Sequence, residues 1–138
     1  MRNHLIICLI LVLNLTSCSH EEETNTTLFQ TWVAKDFMSL ESVAYPKNEN
    51  TKILLTFSKS GTYSLKLDIN TCSGNFTASK VEEISMESPA CTKACCDSRF
   101  SEKLAIMLPK VKTYKIDGNI LRLEVPEWGF IKLELASN

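Results

Sequence analysis

The sequence predicts a mainly antiparallel β domain: a closed or partly open, barrel-like sheet carrying one amphipathic helix. Three observations lead there. Apolar and polar residues alternate with period two through most of the chain beyond residue 30, the mark of half-buried strands. Short turn signals (Ser58-Lys59-Ser60-Gly61, Asp117-Gly118, Pro126-Glu127) separate the alternating runs and favour hairpins. One stretch alone, from Asp97 to Pro109, switches to helical spacing.

Element by element, Thr31-Trp32-Val33-Ala34 opens a strand whose Trp32 is expected to plug the core. Ile53, Leu55 and Phe57 share one face of the next strand. After the Gly61 turn, Tyr63, Leu65, Leu67 and Ile69 alternate with Ser64, Lys66 and Asp68. Cys72 to Ala78 forms a third member of this meander and turns near Ser79-Lys80 into a strand from Val81 to Met86. In that strand Glu82 and Glu83 point to opposite faces, with Glu87 in the following loop. Phe100, Leu104, Met107 and Leu108 recur on one helical face, with Asp97 or Ser98 as N-cap and Pro109 as the stop. Tyr114 and Ile116 lead into Asp117-Gly118, a type I′ hairpin signal. Leu121, Leu123 and Val125, then Ile131, Leu133 and Leu135, supply the last two alternating strands. Trp32, Phe57, Phe76 and Phe100 are the expected core aromatics.

The 138 residues carry 15 Lys+Arg against 16 Asp+Glu, a net charge of -1, so no basic surface points to nucleic acid. At 44% hydrophobic and 22% charged, the chain is too apolar for intrinsic disorder. Its four glycines are isolated and form no phosphate-cradling loop.

The N-terminus reads as an address. Arg2 precedes an unbroken apolar run, Leu5 to Leu13, too short to span a bilayer but suited to a signal-peptide core. Leu15-Thr16-Ser17-Cys18 follows and is similar to a bacterial lipobox, which makes residues 1–17 a cleaved lipoprotein signal and Cys18 the lipidated (palmitate-bearing) residue. Several acyl chains are needed for stable anchoring, because one alone is marginal. Glu21-Glu22-Glu23 resembles the acidic export tag of surface lipoproteins in the Bacteroidetes. Residues 18–27 therefore read as the anchor and an acidic tether, and residues 28–138 as the folded domain. The expected location is the cell envelope, on the periplasmic or surface face of the outer membrane. The membrane and an unidentified envelope protein are the expected partners, and the domain is expected to be monomeric.

Of the six cysteines, Cys8 leaves with the signal and Cys18 takes lipid. Cys72, Cys91, Cys95 and Cys96 remain, an even number that reads as two disulfides in an oxidising compartment. The favoured scheme is Cys72–Cys96 with Cys91–Cys95, ahead of Cys72–Cys95 with Cys91–Cys96. A vicinal Cys95–Cys96 bridge has unfavourable geometry, and its scheme ranks last. CxxxCC plus a distant cysteine does not match zinc knuckles, and Asp97 opposes a redox thiolate, so no metal or cofactor is expected.

Catalysis has little to work with. His20, in the tether, is the one histidine left after processing, which leaves the domain without a Ser-His-Asp or Cys-His device. Lys110, Lys112 and Lys115 read as a solvated basic face. The expectation is a protein that is not an enzyme, with a lipocalin-like carrier of an apolar ligand as the main alternative and a thiol-redox or metal-binding envelope protein as a lesser one.

The order of short motifs resembles the META-domain family. Asn70-Thr71-Cys72-Ser73-Gly74-Asn75-Phe76 is similar to its Asn-x-x-Ser-Gly-x-aromatic signature, and Thr92-Lys93-Ala94-Cys95-Cys96 to its Thr-Arg-x-x-Cys segment. Leu108-Pro109 and Asp117-Gly118-Asn119-x-Leu121 follow in the family's order. Asp68-Ile69 departs from the family's Gly-Cys, while Cys96 matches its later cysteine. The resemblance, to the group that includes HslJ-like envelope lipoproteins, implies a compact β domain with a helix and a role in envelope stress. It brings no catalytic residues. Asn70, Gly74 and Thr92 are the matching motif positions, and Asn70 and Gly74 read physically as a turn and a site of positive φ or close approach.

Overall fold

The computed structural model describes residues 27–79 and 81–137. Nine strands occupy this span: β1 (Thr31–Ser39), β2 (Leu54–Phe57), β3 (Thr62–Lys66), β4 (Thr71–Ala78), β5 (Ile84–Met86), β6 (Ala90–Cys91), β7 (Thr113–Asp117), β8 (Ile120–Val125) and β9 (Gly129–Leu135). Helix α1 (Arg99–Met107) follows β6 and runs into a 3₁₀ turn, Leu108–Lys110, that contains Pro109. Strand order is β5-β4-β3-β2-β1-β9-β8-β7, with β6 beside β4, and every pairing is antiparallel. The two ends of the sheet meet through a bridge between Glu83 and Thr113, flanked by Ile84 N–H to Lys112 O (3.0 Å) and Tyr114 N–H to Glu82 O (2.8 Å). The barrel is thus nearly closed, as the alternation predicted.

Period-two burial fills its interior. Trp32, Leu55, Phe57, Tyr63, Leu65, Phe76, Tyr114, Leu121, Leu123, Ile131 and Leu133 are all buried, and Phe100, Leu104, Met107 and Leu108 of the helical segment join the same cluster. Ser98 is the N-cap, and its side chain accepts from Ser101 N–H. Leu28 is fully buried and its carbonyl accepts the Trp32 indole N–H at 3.1 Å, which seats the start of the described chain in one barrel end. Helix α1 lies at the other end: β1 carries the chain nine residues across, ~26 Å at about 3.3 Å per step.

Local irregularities account for where the alternation misleads. The β1–β9 register slips between Ala34 and Asp36, so Lys35 is an extra residue. The bulge changes the parity of β1: Phe37 turns to the apolar side opposite Ile131, and Met38 is 53% exposed. β3 ends at Lys66, not Ile69. Leu67 N–H is tied to Asn70 O at 2.8 Å, and the chain turns so that Ile69 is 54% exposed while Asn70 is buried. The strand expected from Val81 shortens to Ile84–Met86, because Glu82 adopts φ 61° in a turn. At the β7–β8 hairpin, Gly118 has φ 55° but Asn119 does not share the positive φ. Type I′ needs both central residues in that region, so the turn meets the II′ requirement instead.

Candidate functional site

The motif residues converge at the helix end of the barrel. Asn70 closes the β3–β4 turn with its side chain inward, and both ends of its amide are engaged by protein. Its Nδ2 donates to Ala94 O at 2.7 Å and to Asp97 Oδ2 at 2.6 Å. Its Oδ1 accepts from Thr92 Oγ1 at 2.7 Å and from Ala94 N–H at 2.8 Å. Asp97 Oδ1 in turn accepts the backbone N–H groups of Ile69 and Asn70. Asn70 and Thr92, two residues singled out by motif alone, are therefore hydrogen-bonded to each other across 22 positions.

Beside this network, Asp68 accepts from Thr51 Oγ1, from the backbone and side chain of Ser98, and from Ser101 Oγ. Burial would raise its pKa, but these donors, Ser101 and Ser98 foremost, outweigh it and hold the carboxyl at about 2. Together Asp68 and Asp97 fasten the β3–β4 turn to the start of α1. Gly74 instead makes room for a neighbour. A Cβ there would lie 2.6 Å from the Tyr63 phenol, whose hydroxyl crosses over to donate to Glu87 O at 2.6 Å. Close approach, rather than positive φ, is what requires glycine.

The cysteines pair differently from the favoured scheme. β4 and β6 are in register with Cys72 opposite Cys91, and these two form the disulfide, with Cα atoms 4.0 Å apart. Cys72–Cys96 and Cys91–Cys95 are thereby ruled out. The physical reason is the strand at Ala90–Cys91, whose two-residue pairing is too short to leave a periodicity in the sequence. Cys95 and Cys96, both exposed, are bonded to each other, the scheme ranked last. Cys18 and His20 lie outside the described residues.

A second group at the helix end was not foreseen. Phe37 stacks on Phe100 (centroids 4.2 Å apart) and meets Tyr45 and Trp128 edge-on, each at 5.6 Å. Tyr45 donates to Glu41 Oε2 at 2.6 Å, and Lys103 of α1 donates to Glu41 Oε1 at 3.0 Å, its ammonium 5.0 Å and 5.3 Å from the Tyr45 and Trp128 rings. The Tyr45 hydrogen bond, then Lys103, keeps the Glu41 carboxyl at about 2. The loop 40–53 has no strand or helix period, so its aromatic and acidic residues acquire meaning only where α1 lands on them. Next to this cluster runs a cleft of ≈ 500 Å³ with Lys103, Lys110 and Lys112 along it and an apolar floor of Met107, Val125 and Trp128. Lys115, grouped with those lysines in the sequence, faces a separate recess with Glu82 and Asp117. Among the described residues no set of three or more His, Cys, Asp or Glu is placed to hold a metal ion. The arrangement offers ion-pair, cation–π and apolar contacts on an open surface.

Comparison with known proteins fits this picture. A crystal structure of a DUF4847 family protein from Bacteroides vulgatus ATCC 8482 superimposes with a TM-score of 0.59 at 17% identity, over 80% of this chain and 95% of that one, a likeness of fold. No curated protein matches in sequence. The META domain family matches residues 26–130, a span that takes in the Asn70–Thr92 brace, the Tyr63–Gly74 contact and the helix cap. By that match, the chain belongs to the META domain family.

Proposed function

We propose that this META domain is a lipid-anchored envelope protein that works by docking to another envelope component rather than by turnover. The observation that carries the reading is the filled barrel: the four expected core aromatics, Trp32, Phe57, Phe76 and Phe100, are each at most 5% exposed. A lipocalin-like carrier needs a lumen, and here side chains occupy it. What remains accessible is the outer surface, richest in contact chemistry at the helix end around Lys103, Trp128 and the adjoining lysines.

Anchoring through Cys18 gives that surface an orientation. The described residues begin at the barrel end opposite α1, so in this reading the anchor joins the domain from that end and leaves the helix end free for a partner. The acidic Glu21-Glu22-Glu23 run suits a solvated or exported spacer.

The test is intact-mass analysis of protein extracted from membranes, beside a Cys18→Ser variant. The expected result is a lipid mass on Cys18, loss of membrane partition in the variant, and no stoichiometric apolar ligand in native protein. An unlipidated Cys18 would overturn the anchor, and a co-extracted ligand at one per chain would overturn docking in favour of carriage.

A further inference from the structure

The Cys95-Cys96 dipeptide is held in an unusual setting. One buried side chain, Asn70, clamps both of its flanks: Ala94 through N–H and C=O, and Asp97 through its carboxylate. Both cysteines are exposed. The cross-strand bridge has already consumed Cys72 and Cys91, so among the described cysteines these two have only each other. Cys96 also lines a recess of ≈ 300 Å³ with Lys47 and Arg99. Among the described residues those cations sit over aromatic rings, Lys47 over Phe100 at 4.4 Å and Arg99 over Tyr45 at 6.0 Å, and form no ion pair. The two carboxylates at the same recess, Asp68 and Asp97, are each engaged by three or more donors. Cys96 thus shares its recess with two cations as well as with the two hydrogen-bonded carboxylates.

We propose that Cys95-Cys96 is a reversible dithiol–disulfide exchange site, chemically separate from the structural Cys72–Cys91 bridge, that reacts with a dithiol or disulfide of the envelope. A thiolate of the incoming dithiol attacks Sγ of Cys95. The new mixed disulfide forms as the Cys95–Cys96 bond breaks, and Cys96 leaves as the thiolate beside Lys47 and Arg99 and takes up a proton. The second thiol of the reductant then displaces Cys95. The protein ends with two thiols and the reductant with a disulfide, two electrons and two protons having moved. The reverse sequence reoxidises the pair. Because Asn70 grips both flanks, the change stays local. The bridge between β4 and β6, whose Cys72 is buried in the core, is not needed for it.

Trypsin provides a clean readout, since cleavage after Lys93 and Arg99 releases Ala94–Arg99 carrying these two cysteines and no other. Full-length protein purified without reductant is treated with graded dithiothreitol, quenched with N-ethylmaleimide and digested. The expected result is two maleimides on Ala94–Arg99 at dithiothreitol concentrations roughly tenfold or more below those that separate the Cys72 and Cys91 peptides. Oxidised glutathione should then remove the labelling, and Cys95→Ser should leave Cys96 to form a glutathione adduct. Release of both pairs at the same concentration would overturn the proposal. So would two labels without any reductant that persist after oxidised glutathione, or labelling that requires denaturant.

Discussion

Replacing Asn70 by alanine is the sharpest test of the brace. The change removes four hydrogen bonds of 2.6–2.8 Å, one of them to the Asp97 side chain. A neutral bond contributes about 1 kcal/mol net and a charged one about 1.5–3 kcal/mol, with a further cost when a buried partner is left unsatisfied. Thr92 and Ala94 are exposed, so water takes over part of their loss and brings the total to roughly 2–4 kcal/mol. For a domain of about 110 residues, at ~4 °C per kcal/mol, the melting temperature should fall by roughly 8–16 °C. Thermal and urea unfolding followed by circular dichroism would measure it, with an unchanged m-value showing that stability, not compactness, has moved. Asn70→Asp supplies the control. It is nearly isosteric, yet it loses both Nδ2 donors and sets a second carboxylate against Asp97, so it should be at least as destabilising at neutral pH. A loss below ~0.5 kcal/mol in the alanine variant, or a harmless Asn70→Asp, would refute the reasoning.

Other consequences can be checked in the same unfolding experiments. Gly74→Ala places a methyl against the Tyr63 phenol at 2.6 Å and should cost about 1–3 kcal/mol, part of it returned by a second Tyr63→Leu change. The Asp68 carboxyl is held below its unfolded value. Its contribution is therefore complete above the ordinary carboxylate range and is lost as pH falls through about 2, so an acid titration of Asp68→Asn should show a shallower decline below pH 4 than wild type. Cys72→Ser and Cys91→Ser should destabilise equally, by about 3 kcal/mol for a bridge 19 residues apart, and both should exceed Cys96→Ser. Equal losses in Cys72→Ser and Cys96→Ser, with Cys91→Ser matching Cys95→Ser instead, would restore the Cys72–Cys96 pairing.

Much of the fold was legible because period-two burial depends only on which side of a strand a side chain occupies. Ile53, Leu55, Phe57, Tyr63 and Leu65 face inward as their alternation requires, and Phe100, Leu104, Met107 and Leu108 face the barrel as a helical stripe requires. The places that resisted are those where one residue breaks the parity. The extra Lys35 turns Phe37 inward, the turn at Leu67–Asn70 expels Ile69, and the positive φ of Glu82 shortens β5. No one-dimensional pattern marks them, since each is resolved by hydrogen bonds and packing in the folded chain. The motif positions were visible as letters, but their bonding to one another was not.

By itself, then, the sequence determined an alternating β domain with one capped helix, a candidate lipid anchor at Cys18 and the identity of the motif residues Asn70, Gly74 and Thr92. These are local properties, set by side-chain type and spacing along the chain. Tertiary structure alone decided that Asn70 grips both sides of Cys95-Cys96, that Cys72 takes Cys91, and that α1 brings Lys103 onto Glu41 and Trp128. These contacts join groups 19 to 62 positions apart. Such pairings depend on strand register and on where the helix lands, and both are set by packing of the whole barrel rather than by any stretch of it.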